Sequence, residues 1–160
     1  MHRITHFALV TLALAGIGGA AACGDDDNPA APRPETYTAA LAGSNEPTPP
    51  AQVLGATGTS TITVNGHDLA WTITTANFAS GTTAPGSTAT TLPAHIHFGA
   101  TGVSGGVMVG LTATVNGTTS GTVTVVDSVL THLRAGNTYI NVHTAARAAG
   151  EIRGQLARSP

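Results

Sequence analysis

The chain has 160 residues, enough for one hydrophobic core but not for two, so we expect a single compact domain. Only 9% of the residues are charged, with six arginines, no lysine and eight acidic residues, which excludes the basic patch needed to bind a nucleic acid backbone. The 20 glycines and nine prolines favour short strands and tight turns over helices, and the single cysteine excludes an intramolecular disulfide.

The N-terminus has the features of an export signal. An uncharged apolar run covers residues 7–22 and is shorter than the ~20 residues that span a membrane. Three alanines then precede Cys23, an arrangement that resembles a bacterial lipobox, in which the cysteine is lipidated and becomes the mature N-terminus. We predict a signal peptide over residues 1–22 and a periplasmic or cell-surface lipoprotein anchored to a membrane through Cys23. An ordinary secretory signal cut nearby is the alternative.

The segment after the cysteine is too polar to pack. Residues 24–35 contain three consecutive aspartates and three prolines, a composition typical of disordered linkers. We therefore predict that residues 23–35 form a lipidated, disordered tether and that residues 36–157 form the folded domain.

The strongest local pattern in the folded part is a β-hairpin. Two threonine-rich runs of period two, 57–64 and 68–75, are joined through Asn65-Gly66, a dipeptide favoured in two-residue hairpin turns. Trp71 lies on the apolar face of the second run and is expected to anchor the core.

A second hairpin is predicted from the runs 107–115 and 118–126, which are joined through Asn116-Gly117. The other expected elements are a strand from Tyr37, a surface loop over 79–91, a strand over 94–98, a two-turn helix over 128–134 capped by Asp127 and ended by Gly136, and strands over 138–144 and 151–157. Together they predict an all-β fold, a Greek-key antiparallel β-sandwich or flattened barrel of about seven or eight strands with one short helix.

Three of these strands carry polar residues on one face. Side chains alternate along a strand, so if Ile96 faces the core, then His95 and His97 face outward. The same rule places three residues of the 139–143 strand and three of the last strand outward: Tyr139, Asn141, His143, Glu151, Arg153 and Gln155.

The histidines on these strands suggest a metal site. His95 and His97 have Cα atoms ~6.6 Å apart, so both imidazoles can reach one ion. With His143 from a neighbouring strand they would form an open three-imidazole site suited to Cu or Zn. The alternative is that a solvent-facing strand simply carries polar residues. His67 and His132 are expected to be solvated surface residues.

Four sequence blocks resemble those of the CHRD (chordin-type) domain. The blocks are A-H-I-H-x-G at 94–99, Y-x-N-V-H-T at 139–144, G-E-I-R-G-Q-L at 150–156 and L-x-G-x-x-E at 41–46, in the order found in that family. The resemblance covers about residues 36–156. It implies an extracytoplasmic β-domain, which occurs alone in many exported bacterial proteins.

A more distant likeness concerns Cu/Zn superoxide dismutase, another Greek-key barrel. By that likeness His95, His97 and His143 would be copper ligands and Arg153 an anion-steering residue, with Glu151, Asn141 and Tyr139 around them. The zinc-binding loop and the bridging histidine of that enzyme have no counterpart here, and its disulfide is impossible. Efficient dismutation is therefore not expected, and similarity of fold alone does not show chemistry.

Two functions remain in competition at this point. The first is a binding or structural module at the cell envelope that meets an extracytoplasmic protein or a glycan. The second is a copper- or zinc-binding protein, with superoxide dismutase-like redox activity as its extension. No hydrolase triad, paired carboxylate motif, P-loop or dinucleotide fingerprint is present, so we expect a binding module rather than an enzyme.

Overall fold

The structure is a computed structural model that describes residues 33–47 and 55–160. The predicted signal peptide, the predicted lipidation site at Cys23 and most of the predicted tether lie outside the described residues. The first strand begins at Glu35, so the last residue assigned to the tether belongs to the sheet instead. No helix within the described ranges is long and apolar enough to cross a membrane.

The described chain contains nine β-strands, one α-helix and a 3-10 turn. The strands are β1 (Glu35–Ala42), β2 (Thr57–Asn65), β3 (Asp68–Ala76), β4 (Thr91–Phe98), β5 (Val107–Thr114), β6 (Thr118–Thr124), β7 (Thr138–Val142), β8 (Ile152–Gln155) and β9 (Ala157–Arg158). The 3-10 turn is Gly43–Asn45, and the helix α1 is Asp127–Arg134.

All strands belong to one antiparallel sheet that curls into a nearly closed barrel. Its order is β5-β4-β7-β8-β1-β2-β3-β6, and the short β9 pairs with β1. The predicted all-β architecture with one short helix is therefore confirmed, in its barrel form. This order brings β4, β7 and β8 together although long stretches of chain separate them. β4 carries His95 and His97, β8 carries the buried Arg153, and His143 follows directly after the end of β7, which lies two residues short of the end predicted for that strand.

The first predicted hairpin is present and the second is not. β2 and β3 pair up to Asn65 opposite Asp68, and the turn is made by Gly66, at φ +62°, and His67. β5 instead pairs with β4, and β6 pairs with β3. Although both strands are fully described, no ladder joins β5 to β6, so they form the two edges of the sheet. The turn at Asn116-Gly117 carries the chain across the barrel's open seam.

The core fills the inside of the barrel with aliphatic side chains and Trp71. Ile96, Ile140 and Ile152 are fully buried in it. Trp71 packs there as predicted, and Gly121 on the neighbouring strand makes room for it, since a Cβ at Gly121 would lie 2.7 Å from Trp71 Cζ2.

The helix closes one end of the core through Leu130 and Leu133, which are both buried. Asp127 is the first residue of the helix rather than its cap; the cap is Val126, without a side-chain hydrogen bond. Gly136, at φ +70°, follows the end of the helix as expected.

Candidate three-histidine site

Three adjacent strands bring the predicted site residues side by side. His95 lies opposite Asn141, which in turn lies opposite Arg153. His97 lies opposite Tyr139 in the same way. The residues that alternate with them point into the hydrophobic core, which confirms the prediction of which side chains share the other face.

The expectation that this face meets solvent is wrong. His97 and His143 are only 7% and 8% exposed, Arg153 is 2% exposed, and His95 is half-buried. Two loops cover the face: the β4–β5 loop (residues 99–106) and the β7–β8 loop (residues 143–151). A polar face covered by loops must satisfy its hydrogen bonds internally. The loops satisfy only part of them, since His97 Nε2, Asn141 Oδ1 and Arg153 Nη1 are buried without a hydrogen-bond partner in the described chain.

The three predicted histidines form a compact cluster. One nitrogen from each of His95, His97 and His143 lies within 4.8 Å of the corresponding nitrogens of the other two. The closest pair is His95 Nδ1 and His143 Nε2, 2.9 Å apart. Within residues 33–47 and 55–160, no other group of three or more histidine, cysteine or acidic side chains is close enough to hold an ion.

Backbone carbonyls orient two of the three rings. His97 Nδ1 is 3.0 Å from Gly105 O, and His143 Nδ1 is 2.9 Å from Ala148 O. Because a carbonyl oxygen only accepts, each Nδ1 carries the proton, and in the neutral ring each Nε2 keeps its lone pair. His95 Nδ1 therefore donates to His143 Nε2. The buried Nε2 of His97 has no hydrogen-bond partner among the described residues.

The cluster favours uncharged imidazoles. Burial lowers the pKa of His95, and the neighbouring His143 and His97 lower it further. Burial also lowers the pKa of His143, although its hydrogen bond to Ala148 O opposes that shift in part. Neutral imidazole is the form that binds metals, and the lowered pKa values favour that uncharged form of both rings at neutral pH.

Tyr139 lies between the histidine cluster and Arg153. Its ring stacks on His97 with centroids 4.9 Å apart and planes at 8°. The Arg153 guanidinium carbon lies 3.3 Å from the centroid of the same ring, a cation–π contact. Since β7 lies between β4 and β8, the tyrosine ring separates this cation from His97.

The remaining predicted residues bind the two loops. Arg153 Nη2 donates to Ala100 O at 3.2 Å and to Val103 O at 2.8 Å. Glu151, also buried, accepts a hydrogen bond from Thr144 Oγ1. Asn141 Nδ2 donates to Ala149 O at 3.4 Å.

The sequence reasoning missed two parts of the site. The first is Glu46, whose buried Oε1 lies against Gly150 and Asn141. Burial raises the pKa of Glu46, while Arg153 and Asn141 oppose that shift. The signal for it was present, since Glu46 is the acidic residue of the L-x-G-x-x-E block. The second is Gly105, which no motif marked.

The two histidines expected to be solvated surface residues both lie outside the cluster, but only His67 is exposed. His67 is exposed and pairs with Asp127 at 2.9 Å. His132 is half-buried in α1, with its ring 4.5 Å from that of Phe98.

The fold and the site together define a small antiparallel β-barrel domain with a three-histidine cluster held beneath two loops. The model of the family described as CHRD domain matches residues 37–156. The chain therefore belongs to the CHRD domain family, as the sequence blocks indicated. Comparison with curated proteins and with solved structures finds no significant match. Membership of the family supports a binding or structural module.

Proposed function

We propose that this CHRD domain is an exported binding module whose ligand is a transition metal ion, copper or zinc. The ion is held by His95 Nδ1, His97 Nε2 and His143 Nε2, after His95 moves its ring proton from Nδ1 to Nε2 and releases its hydrogen bond to His143. Loop carbonyls hold two of these rings in the tautomer that a ligand needs.

The observation that carries the proposal is the buried Nε2 of His97. Its ring is fixed by the hydrogen bond from Nδ1 to Gly105 O, and Nε2 has no hydrogen-bond partner in the described chain. Leaving a buried polar atom unpaired costs about 1–3 kcal/mol. An ion bound between the three rings satisfies it, and no other described side chain does.

The spacing of the nitrogens suits an ion after the rings move closer together. Ligands about 2.0–2.1 Å from an ion and at the tetrahedral angle lie about 3.3–3.4 Å from each other. The nitrogens of the cluster are all within 4.8 Å, so the widest pair needs to close by up to about 1.5 Å. The 2.9 Å pair already corresponds to about 90° at the ion.

The donor set also limits the metals. Three neutral imidazoles suit copper and zinc, whereas magnesium and calcium prefer oxygen ligands. A fourth position stays open for water or a small anion, and the half-buried His95 lies on the more accessible side of the cluster.

We limit the proposal to binding. A bridged two-metal centre of the superoxide dismutase type needs a second group of ligating side chains beside the first. In the part of the chain that the structure describes, the three histidines form a single group without such a neighbour.

The location of the module is part of the proposal. The lipobox-like Cys23 and the polar, proline-rich segment after it support a domain tethered to a membrane outside the cytoplasm. Radiolabelled fatty acid should be incorporated into the wild-type chain and not into Cys23→Ser; label persisting in the variant would contradict lipidation there. An extracytoplasmic protein or glycan as a further partner remains a prediction.

Titration with Cu(II) and Zn(II) tests the metal site. The purified protein should take up one ion, and His97→Gln and His143→Gln should lose at least about 10–100-fold in affinity. His95→Gln, at the half-buried ligand, provides a third variant with less risk to folding. His67→Gln is the matched control, because it removes an exposed histidine outside the cluster. Equal uptake by all of these proteins would refute the proposal.

A further inference from the structure

Two buried charged residues, one just before β8 and one within it, each hold one of the two loops that orient the histidines. We infer that Arg153 and Glu151 are positioning residues for the metal ligands, Arg153 for His97 and Glu151 for His143. This inference rests on the proposed metal site and adds to it the way in which the ligand geometry is set.

Arg153 acts on His97 through the β4–β5 loop. Its Nη2 donates to Ala100 O and Val103 O in that loop. The carbonyl of Gly105 in the same loop accepts the proton of His97 Nδ1. The guanidinium therefore fixes the path of the segment whose carbonyl selects the His97 tautomer.

A second route from Arg153 ends on the same residue, Gly105. The guanidinium packs on the ring of Tyr139. The hydroxyl of that tyrosine accepts a hydrogen bond from Gly105 N at 3.2 Å. Both polar groups of Gly105 are thus engaged, the N–H by Tyr139 and the carbonyl by His97.

The β4–β5 loop has little room to adjust. A Cβ at Gly105 would lie 1.8 Å from Phe98 O, and one at Gly99 would lie 2.6 Å from Val103 O. Where backbone segments approach this closely, a displacement at one end of the loop is transmitted to the other rather than absorbed.

Glu151 acts on His143 through the β7–β8 loop. Its carboxylate accepts from Thr144 Oγ1, and the same hydroxyl oxygen accepts from Arg147 N at 3.2 Å. These contacts hold the turn that precedes Ala148, whose carbonyl accepts the proton of His143 Nδ1. Glu151 N also donates to Val142 O, which ties the end of the loop to the strand that leads into it.

Buried charges such as these two are an inefficient source of stability for the barrel. Burying a charge carries a desolvation cost, and replacing buried ionic groups with well-packed apolar residues is often neutral or stabilising. Arg153 and Glu151 are 2% and 3% exposed. What their hydrogen bonds provide is a fixed geometry for the two loops.

Electron paramagnetic resonance of the Cu(II)-loaded protein tests the inference by counting coupled imidazole nitrogens. Wild type should show three. Arg153→Met, which keeps an unbranched side chain but no hydrogen-bond donors, should show two and bind copper about 10–100-fold more weakly. Glu151→Ala should do the same, whereas Glu151→Gln, which still offers an oxygen to Thr144, should keep three.

Double variants identify the ligand that is lost. Adding His97→Gln to Arg153→Met should weaken copper binding little further, while adding His143→Gln should weaken it strongly. The reverse pattern is expected for Glu151→Ala. Arg134→Met is the control, because it removes an exposed arginine that pairs with Glu35 away from the site.

Several outcomes would overturn the inference. One is that both Arg153→Met and Glu151→Ala keep three coupled nitrogens and the copper affinity of the wild type. Another is that His97→Gln and His143→Gln weaken copper binding equally when either is added to the same single variant. If Arg153→Met does not fold, the comparison of Glu151→Ala with Glu151→Gln decides. If the wild type binds neither copper nor zinc, the proposed function is wrong, and nuclear magnetic resonance of the histidine ring nitrogens then tests positioning alone. Wild type should show His97 protonated at Nδ1 only and Arg153→Met a mixture of tautomers; an unchanged tautomer would overturn the inference.

Discussion

Replacing Gly105 with alanine should damage the histidine site while leaving the barrel folded. A Cβ built on Gly105 would lie 1.8 Å from the backbone oxygen of Phe98, whereas real Cβ contacts are essentially never under 3.0 Å. The two backbone segments must therefore separate by at least 1.2 Å, the difference between these distances.

That movement is large compared with the tolerance of the hydrogen bonds at Gly105. The bond from His97 Nδ1 to Gly105 O is 3.0 Å long and the bond from Gly105 N to Tyr139 Oη is 3.2 Å long. A shift of this size takes either one beyond hydrogen-bonding distance. Losing both costs about 1–3 kcal/mol in total, and the steric strain adds a further ~1–3 kcal/mol. Without its carbonyl partner His97 is free to change tautomer, so metal affinity should fall about 10–100-fold.

The neighbouring glycine provides the control. A Cβ at Gly106 would meet nothing within 4 Å, so Gly106→Ala should change the free energy of unfolding by less than about 0.5 kcal/mol and leave copper binding intact. Urea denaturation measures the free energy of unfolding, and a competition titration with Cu(II) measures the copper affinity. If Gly105→Ala matches Gly106→Ala in both assays, the loop does not orient His97 and the reasoning fails.

Three further predictions concern stability. Burial lowers the pKa of His95 and His143 below the ordinary 6.5. As the pH falls, these histidines therefore take up protons in the unfolded chain before they do so in the folded protein. The metal-free protein should lose stability below pH 6.5 for this reason. Urea denaturation on both sides of that pH should show a smaller loss in His95→Gln, and an equal loss would contradict this. Gly121→Ala should destabilise the protein by about 1–3 kcal/mol, because the added Cβ would lie 2.7 Å from the Trp71 ring. Gly110→Ala is the control and should not destabilise it, because a Cβ there would meet nothing within 4 Å. Equal melting temperatures of the two variants would argue against this packing. Saturating Cu(II) should raise the melting temperature of wild type, and a chelator should reverse the rise.

Strand alternation was sufficient to predict which residues share a face. Ile96 alternates with polar residues on its strand, and Ile140 does so on another strand. For each strand, only one of the two possible choices of inward face buries the isoleucine. That assignment puts His95, His97 and His143 together on the other face, and the strand order brings them within reach of each other.

Alternation could not identify strand partners at the seam. The Asn116-Gly117 turn looks like the one at Asn65-Gly66, yet β5 pairs with β4 rather than with β6. A local sequence pattern indicates the alternation of side chains along a strand and the position of a turn. It does not indicate which distant strand becomes the neighbour, because that pairing depends on how the whole barrel closes.

The covering of the polar face was also beyond a local reading. The residues that bury the histidines are glycine- and alanine-rich loop segments around Gly105 and Ala148, which contribute backbone carbonyls. Backbone acceptors leave no trace in residue type, and a glycine that permits a close approach looks like any turn glycine. The sequence therefore predicts the ligands of the proposed site but not the groups that hold them.

The most direct test of the account is anomalous diffraction at the copper edge from crystals of the protein grown with Cu(II). The account predicts one strong peak about 2.0–2.1 Å from His95 Nδ1, His97 Nε2 and His143 Nε2, with both loop carbonyls still bonded to their Nδ1 atoms. No peak at the cluster, or copper bound only at exposed His67 beside Asp127, would contradict it.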